Sequence, residues 1–267
     1  MIAVELAKLY RRPRTWATLA LLVGLPTMVA LFVRFSDVAP RPGTGPAFLS
    51  QVLNNGALFP AAALAIVLPL FLPVAVAVVA GESVAGEAQA GTLRYLLIRP
   101  VGRTRLIVAK LVSVLAFTMT AVTLVAASAY VVGTQLFGAK ALPSTSGTTL
   151  TTGQASLRTV VAVGYVGWSM VGVAAIALFL STLSDSPLGA ALGAIALLVA
   201  STVLVTLDAA ASVRPYLPTR YWLAFIDLYR DPVLWRDLVR GTLLQAVYVV
   251  VLLAAAWANF TTKDVTS

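Results

Sequence analysis

Between Gly81 and Lys110 the chain reads GESVAGEAQAGTLRYLLIRPVGRTRLIVAK. Glu82 and Glu87 come first, then Gly91, Thr92 and Leu93, then Arg94, Arg99, Arg103, Arg105 and Lys110. Carboxylates, guanidiniums and a backbone punctuated by glycine suit recognition of a partner by charge and hydrogen bonding, rather than bond cleavage. The rest of the chain supplies no catalytic set. There is no His and no Cys, which removes the usual neutral-pH proton carrier, the commonest metal ligand and any thiolate site. No G-x-x-x-x-G-K-[ST] phosphate loop and no G-x-S-x-G elbow occur. The residues point to a protein that is not an enzyme, binds no metal and holds no ATP of its own.

Gly86 and Gly91 divide the charged stretch into short pieces. Thr92 is placed to cap a short helix over 92–98, which Pro100 ends. Leu93, Leu96 and Leu97 then share one face, with Arg94 and Arg99 elsewhere. Such a helix, held between two membrane spans, would carry a push on its outer face into both. The competing expectation is a solvated loop whose arginines only set topology.

What holds this stretch in place is read from composition. The chain has 267 residues, 60% hydrophobic and 11% charged, with a mean hydropathy of +0.93. Soluble domains carry about 25% charged residues, so the sequence predicts an all-α membrane protein. Six runs approach the roughly 20 apolar residues a span requires: 16–33, 59–80, 107–132, 160–180, 188–207 and 242–260. Of 19 basic and 10 acidic residues, Lys110 alone falls inside a run, near its end, where its stem can snorkel to the headgroups. The whole chain reads as one transmembrane domain, with a surface helix at 1–14, a cytoplasmic loop at 81–106 and an external interfacial loop at 208–241. The net charge of +9 follows from basic residues flanking spans, and no nucleic-acid motif accompanies it.

Lys8, Arg11, Arg12 and Arg14 precede the first span and place the N-terminus inside; with six spans the C-terminus is inside as well. The last long loop is awkward, because Arg214, Arg220, Arg230, Arg236 and Arg240 then lie outside and the two sides nearly tie. Four acids in that loop leave it close to neutral. The abundance of Arg over Lys, with much Ala and Val, fits a GC-rich bacterial genome and hence a cytoplasmic (inner) membrane.

The remaining segments yield further expectations. Ile2, Leu6 and Leu9 fall on one helical face opposite Glu5 and Lys8, as in a helix on the membrane surface. Pro69 and Pro73 sit inside the second run and predict a kink or hinge. Gly189 and Gly193 form G-x-x-x-G in the fifth run, for close approach either to a second copy or within the chain. Thr118, Thr120, Thr123, Ser128, Ser201, Thr202 and Thr206 are the main polar groups of the spans; hydroxyls of this kind usually bond back to their own helix. In the 208–241 loop Trp222, Phe225, Ile226 and Tyr229 fall on one face at α-helical spacing. With Trp235 they suggest interfacial helices whose rings sit at headgroup level. The 133–156 stretch, rich in Ser, Thr and Gly, reads as a solvated linker.

The Glu…Gly-Thr-Leu…Leu-Leu…Pro-Val-x-Arg…Lys pattern from Glu82 to Lys110 resembles the first cytoplasmic loop of type-2 ABC exporter permeases. An N-terminal surface helix ending in Arg12-Pro13, six spans and a long external loop before the last span are similar in layout. The resemblance implies that the 81–106 loop docks into a groove of a separately encoded cytoplasmic ATPase, present in two copies. Glu82, Glu87, Gly91, Thr92, Leu93, Arg94, Arg99, Pro100 and Arg103 are the matching coupling positions. It implies pairing with a second permease copy or a related permease, with the second and fifth helices near the axis, and short external helices capping the pathway. ATP and Mg would belong to the partner, and no cofactor to this chain. Two other classes stay open: a membrane anchor or assembly protein that recruits a cytoplasmic partner without moving solute, and an ion-coupled secondary carrier.

Overall fold

The computed structural model describes residues 1–35, 56–91, 103–138, 142–143 and 149–262. The chain is an all-α membrane protein. Helix α1 is Ile2–Tyr10 and α2 is Pro13–Phe35. A 3-10 turn, Gly56–Leu58, leads into α3, Phe59–Val67, and α4, Phe71–Gln89. Then come α5, Arg103–Phe137, α6, Thr152–Leu183, and α7, Pro187–Thr206. Three 3-10 segments, Asp208–Ala210, Arg214–Tyr216 and Trp222–Tyr229, precede α8, Trp235–Thr262. Between α5 and α6, Leu142 pairs with Leu150 and Pro143 with Thr149 in a two-residue antiparallel ladder.

Six helices (α2, α4, α5, α6, α7 and α8) are long and apolar enough to cross a membrane. Several outrun the bilayer. The 35 residues of α5 extend about 50 Å, against about 30 Å of hydrocarbon. α6 is the central element and packs against α4, α5, α7 and α8. Its start is fixed by a capping box: Thr151 Oγ1 accepts from the Gln154 backbone, and the Gln154 side chain accepts from Thr151 N–H. α7 starts at Ser186-Pro187, a serine cap followed by proline at the first helical position.

The second span is built in two pieces. α3 ends at Val67 and α4 begins at Phe71, so Pro69 lies in the turn between them. Pro73 has no such effect. It occupies the first turn of α4, where its missing N–H removes no intrahelical bond. The hinge expectation therefore reduces to a break at Pro69. Gly56 and Gly133 let α3 and α5 close together: a Cβ on either would collide with the other's backbone.

α4 also continues past the expected end of the span. It reaches Gln89, so Gly81–Gln89 is helix and not loop. The carboxylates that mark an end of hydrophobicity are neutralised by lysines and arginines from other helices, and the helix carries on through them. α4 stops at Gly91, whose φ of 65° is the left-handed conformation glycine adopts freely after a helix. The connection to α5 thus shortens to residues 90–102. Of the expected coupling positions, Thr92, Leu93, Arg94, Arg99 and Pro100 lie outside the described residues, and Arg103 opens α5.

Candidate functional site

The end of α4 is tied to five other helices. Glu87 is 5% exposed and Lys110, on α5, is 1% exposed; their side chains meet at 2.7 Å. Lys110 also donates to the Ser83 carbonyl and lies 3.9 Å from Glu5 of α1. Lys8 of α1 reaches the same Glu87 carboxylate at 2.8 Å. Five residues earlier on α4, Glu82 accepts from Arg14 of α2, with the closest approach 2.6 Å, and Arg12 stands 3.6 Å away. Lys110 is therefore not a snorkelling residue. It is a buried cation neutralised by a buried carboxylate, with further acceptors around it, as a charge out of water requires.

The link to α6 uses backbone. Ser181 Oγ donates to the Gly81 carbonyl at 2.6 Å and accepts from the N–H groups of Val84 and Ala85 at 3.2 and 2.9 Å. The hydroxyl thus bonds three backbone groups of one turn of α4 from the neighbouring helix. The link to α7 is steric. A Cβ on Gly81 would lie 2.9 Å from Ala191 N, so the two helices touch through the glycine.

α1 takes part with its charged face. It packs on α5: Met1 lies against a cluster that includes Leu106 and Ile107, and Tyr10 shares a 2.6 Å hydrogen bond with Thr120. Glu5 and Lys8 turn towards the bundle, while Ile2 and Val4 are exposed. Leu9, on the expected apolar face, packs against the core, while Lys8 stays partly exposed as it reaches Glu87. Counter-charges on α4 and α5 draw the tips of Lys8 and Glu5 towards the bundle.

Together these helices enclose a cleft of about 700 Å³, walled by α1, the start of α2, α4, α5 and the start of α7. The starts of α2, α5 and α7 and the ends of α4, α6 and α8 share this end of the bundle. Trp257 of α8 donates to Thr104 of α5 at 2.9 Å, and Asn259 of α8 to the Thr182 carbonyl of α6 at 2.9 Å. Glu82 and Glu87, expected as docking groups, form ion pairs within the chain. Among the described residues no cluster of three or more His, Cys, Asp or Glu could hold a metal ion.

The opposite end departs from expectation as well. Trp222, Phe225 and Tyr229 are buried in the core, with Leu228. They are not headgroup anchors. The segment is a 3-10 helix, and its three-residue turn aligns 222, 225 and 228 on one side, which packs on α6 and α8. Burial pushes the Tyr229 phenol up to about 12, and its hydroxyl shares a 2.8 Å bond with Thr159. Trp235 alone of the four is exposed, at the start of α8. Buried Gln245 holds the loop by donating to the Pro218 carbonyl at 2.7 Å.

The glycine pair of α7 has neighbours within the chain. A Cβ on Gly193 would touch Leu180 of α6, and one on Gly189 the turn at Ser184 and Ser186. Both glycines remain exposed on α7. Of the span hydroxyls, those of Thr118, Ser128, Thr202 and Thr206 bond back to their own helices. Thr120 meets Tyr10, and Ser201 meets Thr219.

Sequence reasoning missed Ser181, Gly81 and the pairing of Glu87 with Lys110. The last had a signal: a lysine inside one span and a carboxylate just beyond the preceding one are natural partners across a helical hairpin.

A family model covers residues 21–266. The chain belongs to DUF2705, described as a protein of unknown function. Comparison with curated proteins finds no match. The match begins within α2 and spans the later helices, so the α4–α5 junction lies inside the family's shared region, whereas Lys8, Arg12 and Arg14 precede it.

Proposed function

We propose that the chain is the membrane permease subunit of an ATP-driven exporter, coupled to a separately encoded cytoplasmic ATPase through the 81–106 segment. The observation that carries this reading is the junction at the end of α4. The 90–102 connection leaves from the one point where α1, α2, α5, α6 and α7 are all attached to α4. Displacing that connection would move a bonded set of helix ends together, as a coupling element must. In this reading Glu82 and Glu87 hold the junction rigid from inside, and Gly91, Thr92, Leu93, Arg94, Arg99, Pro100 and Arg103 meet the partner.

The assembly would contain two ATPase copies and a second permease, identical or related. ATP and Mg would be bound on the ATPase, and the permease itself would catalyse nothing. Both termini would face the cytoplasm of a bacterial cell, with the protein in its inner membrane. The break at Pro69 would let the outer half of the second span respond to movement of the inner half.

The test is co-purification in mild detergent. A phosphate-loop ATPase should accompany the tagged chain in stoichiometric amount. Gly91→Trp and Arg94→Glu should release it while leaving the chain monodisperse. Isolation of the chain alone, or with a partner indifferent to both variants, would sink the coupling role.

One observation keeps an ion-coupled carrier in view. Glu87 and Lys110 are buried inside helices long enough to span, and carriers hold such groups in the membrane. The pair lies near the ends of both helices and is locked by Lys8, which favours a structural role. Transport abolished by an uncoupler at undiminished ATP would reverse that preference.

A further inference from the structure

We propose that the seam between α4 and α7 binds one acidic phospholipid, its phosphate at Arg12 and Arg14 and an acyl chain along α4. This inference rests on membrane embedding alone and stands apart from the exporter reading.

The cleft beneath α1 carries Lys8, Arg12, Arg14 and Lys110 against Glu5, Glu82 and Glu87, a surplus of one positive charge. The surplus is at the mouth. Arg12 and Arg14 share the single Glu82 carboxylate. Arg12 stands 3.6 Å from it, beyond hydrogen-bond range, and both guanidiniums are partly open to solvent. The depth is right for a headgroup. Trp16 is exposed beside Arg14 and donates to the Tyr10 carbonyl at 2.8 Å, the posture of an indole at the membrane–water boundary.

A second observation lies inside the cleft. Ser113, on its α5 wall, is 7% exposed and its hydroxyl has no hydrogen-bond partner. A buried hydroxyl left unpaired is costly. The glycerol and phosphate oxygens of a lipid seated here supply acceptors.

The third concerns the tail. An apolar groove of about 170 Å³ lies deeper in the same α4–α7 seam, lined by Pro69, Val74 and Leu198 among others. The residues facing the seam run down α4 as Glu82, Val78, Val74 and Leu70, and down α7 as Ala191, Ile195, Val199 and Val203. Each set is one helical stripe, so cleft and groove lie in line along the same pair of helices. From Glu82 to Pro69 that line measures about 20 Å at 1.5 Å per residue, the length of an extended phospholipid chain. A free phosphate would use the mouth and leave the groove unexplained.

The test is native mass spectrometry of the full chain released from vesicles of equal phosphatidylglycerol and phosphatidylcholine. Wild type should retain phosphatidylglycerol over phosphatidylcholine by about tenfold. R12Q/R14Q should abolish the preference. Val199→Trp, which fills the groove and touches no ion pair, should cut retention at least fivefold with the chain still monodisperse. No preference in wild type, or a preference that survives both variants, would overturn the proposal. So would displacement by millimolar inorganic phosphate with Val199→Trp unchanged, since the site would then be one for a small free anion. A second copy of the chain protecting the seam in place of lipid would also overturn it.

Discussion

The two ends of the bundle carry similar numbers of arginines and hold together by different physics. At the α1 end the ion pairs join residues far apart in sequence: Lys8 with Glu87, Arg14 with Glu82, Lys110 with Glu87. Each pair joins two helices, and the central one is buried. At the other end most pairs are local. Arg214 pairs with Asp208 and Arg230 with Asp227, within one loop. Cohesion there comes from buried aromatics, chiefly Trp222, Phe225 and Tyr229. Charge is used to connect helices at one end and is discharged locally at the other. Of the five arginines of the 208–241 loop, Arg214 and Arg230 face acids of the same loop.

The sharpest way to break the comparison is to remove one buried charge. Lys110→Met leaves Glu87 buried facing the half-exposed Lys8, and should cost about 4 kcal/mol of stability. Removing both, Lys110→Met with Glu87→Leu, should restore most of it. Unfolding in detergent micelles, followed by thermal melts of the single and double variants, reads the difference. If the double variant is as unstable as the single, the junction is held by packing and not by charge.

The corresponding test at the other end is Phe225→Ala. The ring is fully buried, and its loss should cost about 3 kcal/mol through lost contact and cavity. Trp235→Ala, at an exposed position, should stay within about 0.5 kcal/mol. Equal effects would mean that the aromatics are surface anchors after all.

These residues also mark how far sequence reasoning reaches. The six spans and the N-terminal helix were legible, because a 3.6-residue period and long uncharged runs are one-dimensional signals. The aromatic face of 222–229 was misjudged on period: a 3-10 helix turns every three residues, which aligns Leu228 instead of Ile226 and points the rings inward. The reach of α4 was misjudged because Glu82 and Glu87 look like the end of a span when their counter-ions lie on other helices. Lys8, Arg14 and Lys110 complete that site only in three dimensions. Ser181 gave no signal, since a serine bonding a neighbour's backbone looks like any other span hydroxyl.

A smaller effect sharpens the steric half of the junction. Gly81→Val places branched carbon against Ala191 of α7, and should destabilise by about 2 kcal/mol through overpacking. Gly24→Val, at a helix position where a Cβ meets nothing within 4 Å, is the matched control in the same melts. A mild Gly81 variant would mean that α7 yields easily and is not part of the rigid set.

The smallest change separates the two ends most cleanly. Arg14 and Arg230 have similar side-chain exposure, 57% and 52%, so each ion pair is worth at most about 1 kcal/mol. Global stability should barely register Arg14→Ala or Arg230→Ala. Their reach should differ. Arg14 ties α2 to α4 across 68 residues, whereas Arg230 and Asp227 are three apart on one short segment. Hydrogen exchange should therefore quicken at the start of α2 and the end of α4 in Arg14→Ala, and only around residues 227–230 in Arg230→Ala. Exchange confined to α2 in the first variant would show that the α1 end, too, uses its surface charges locally. The buried Glu87–Lys110 pair would then be the element that joins the helices.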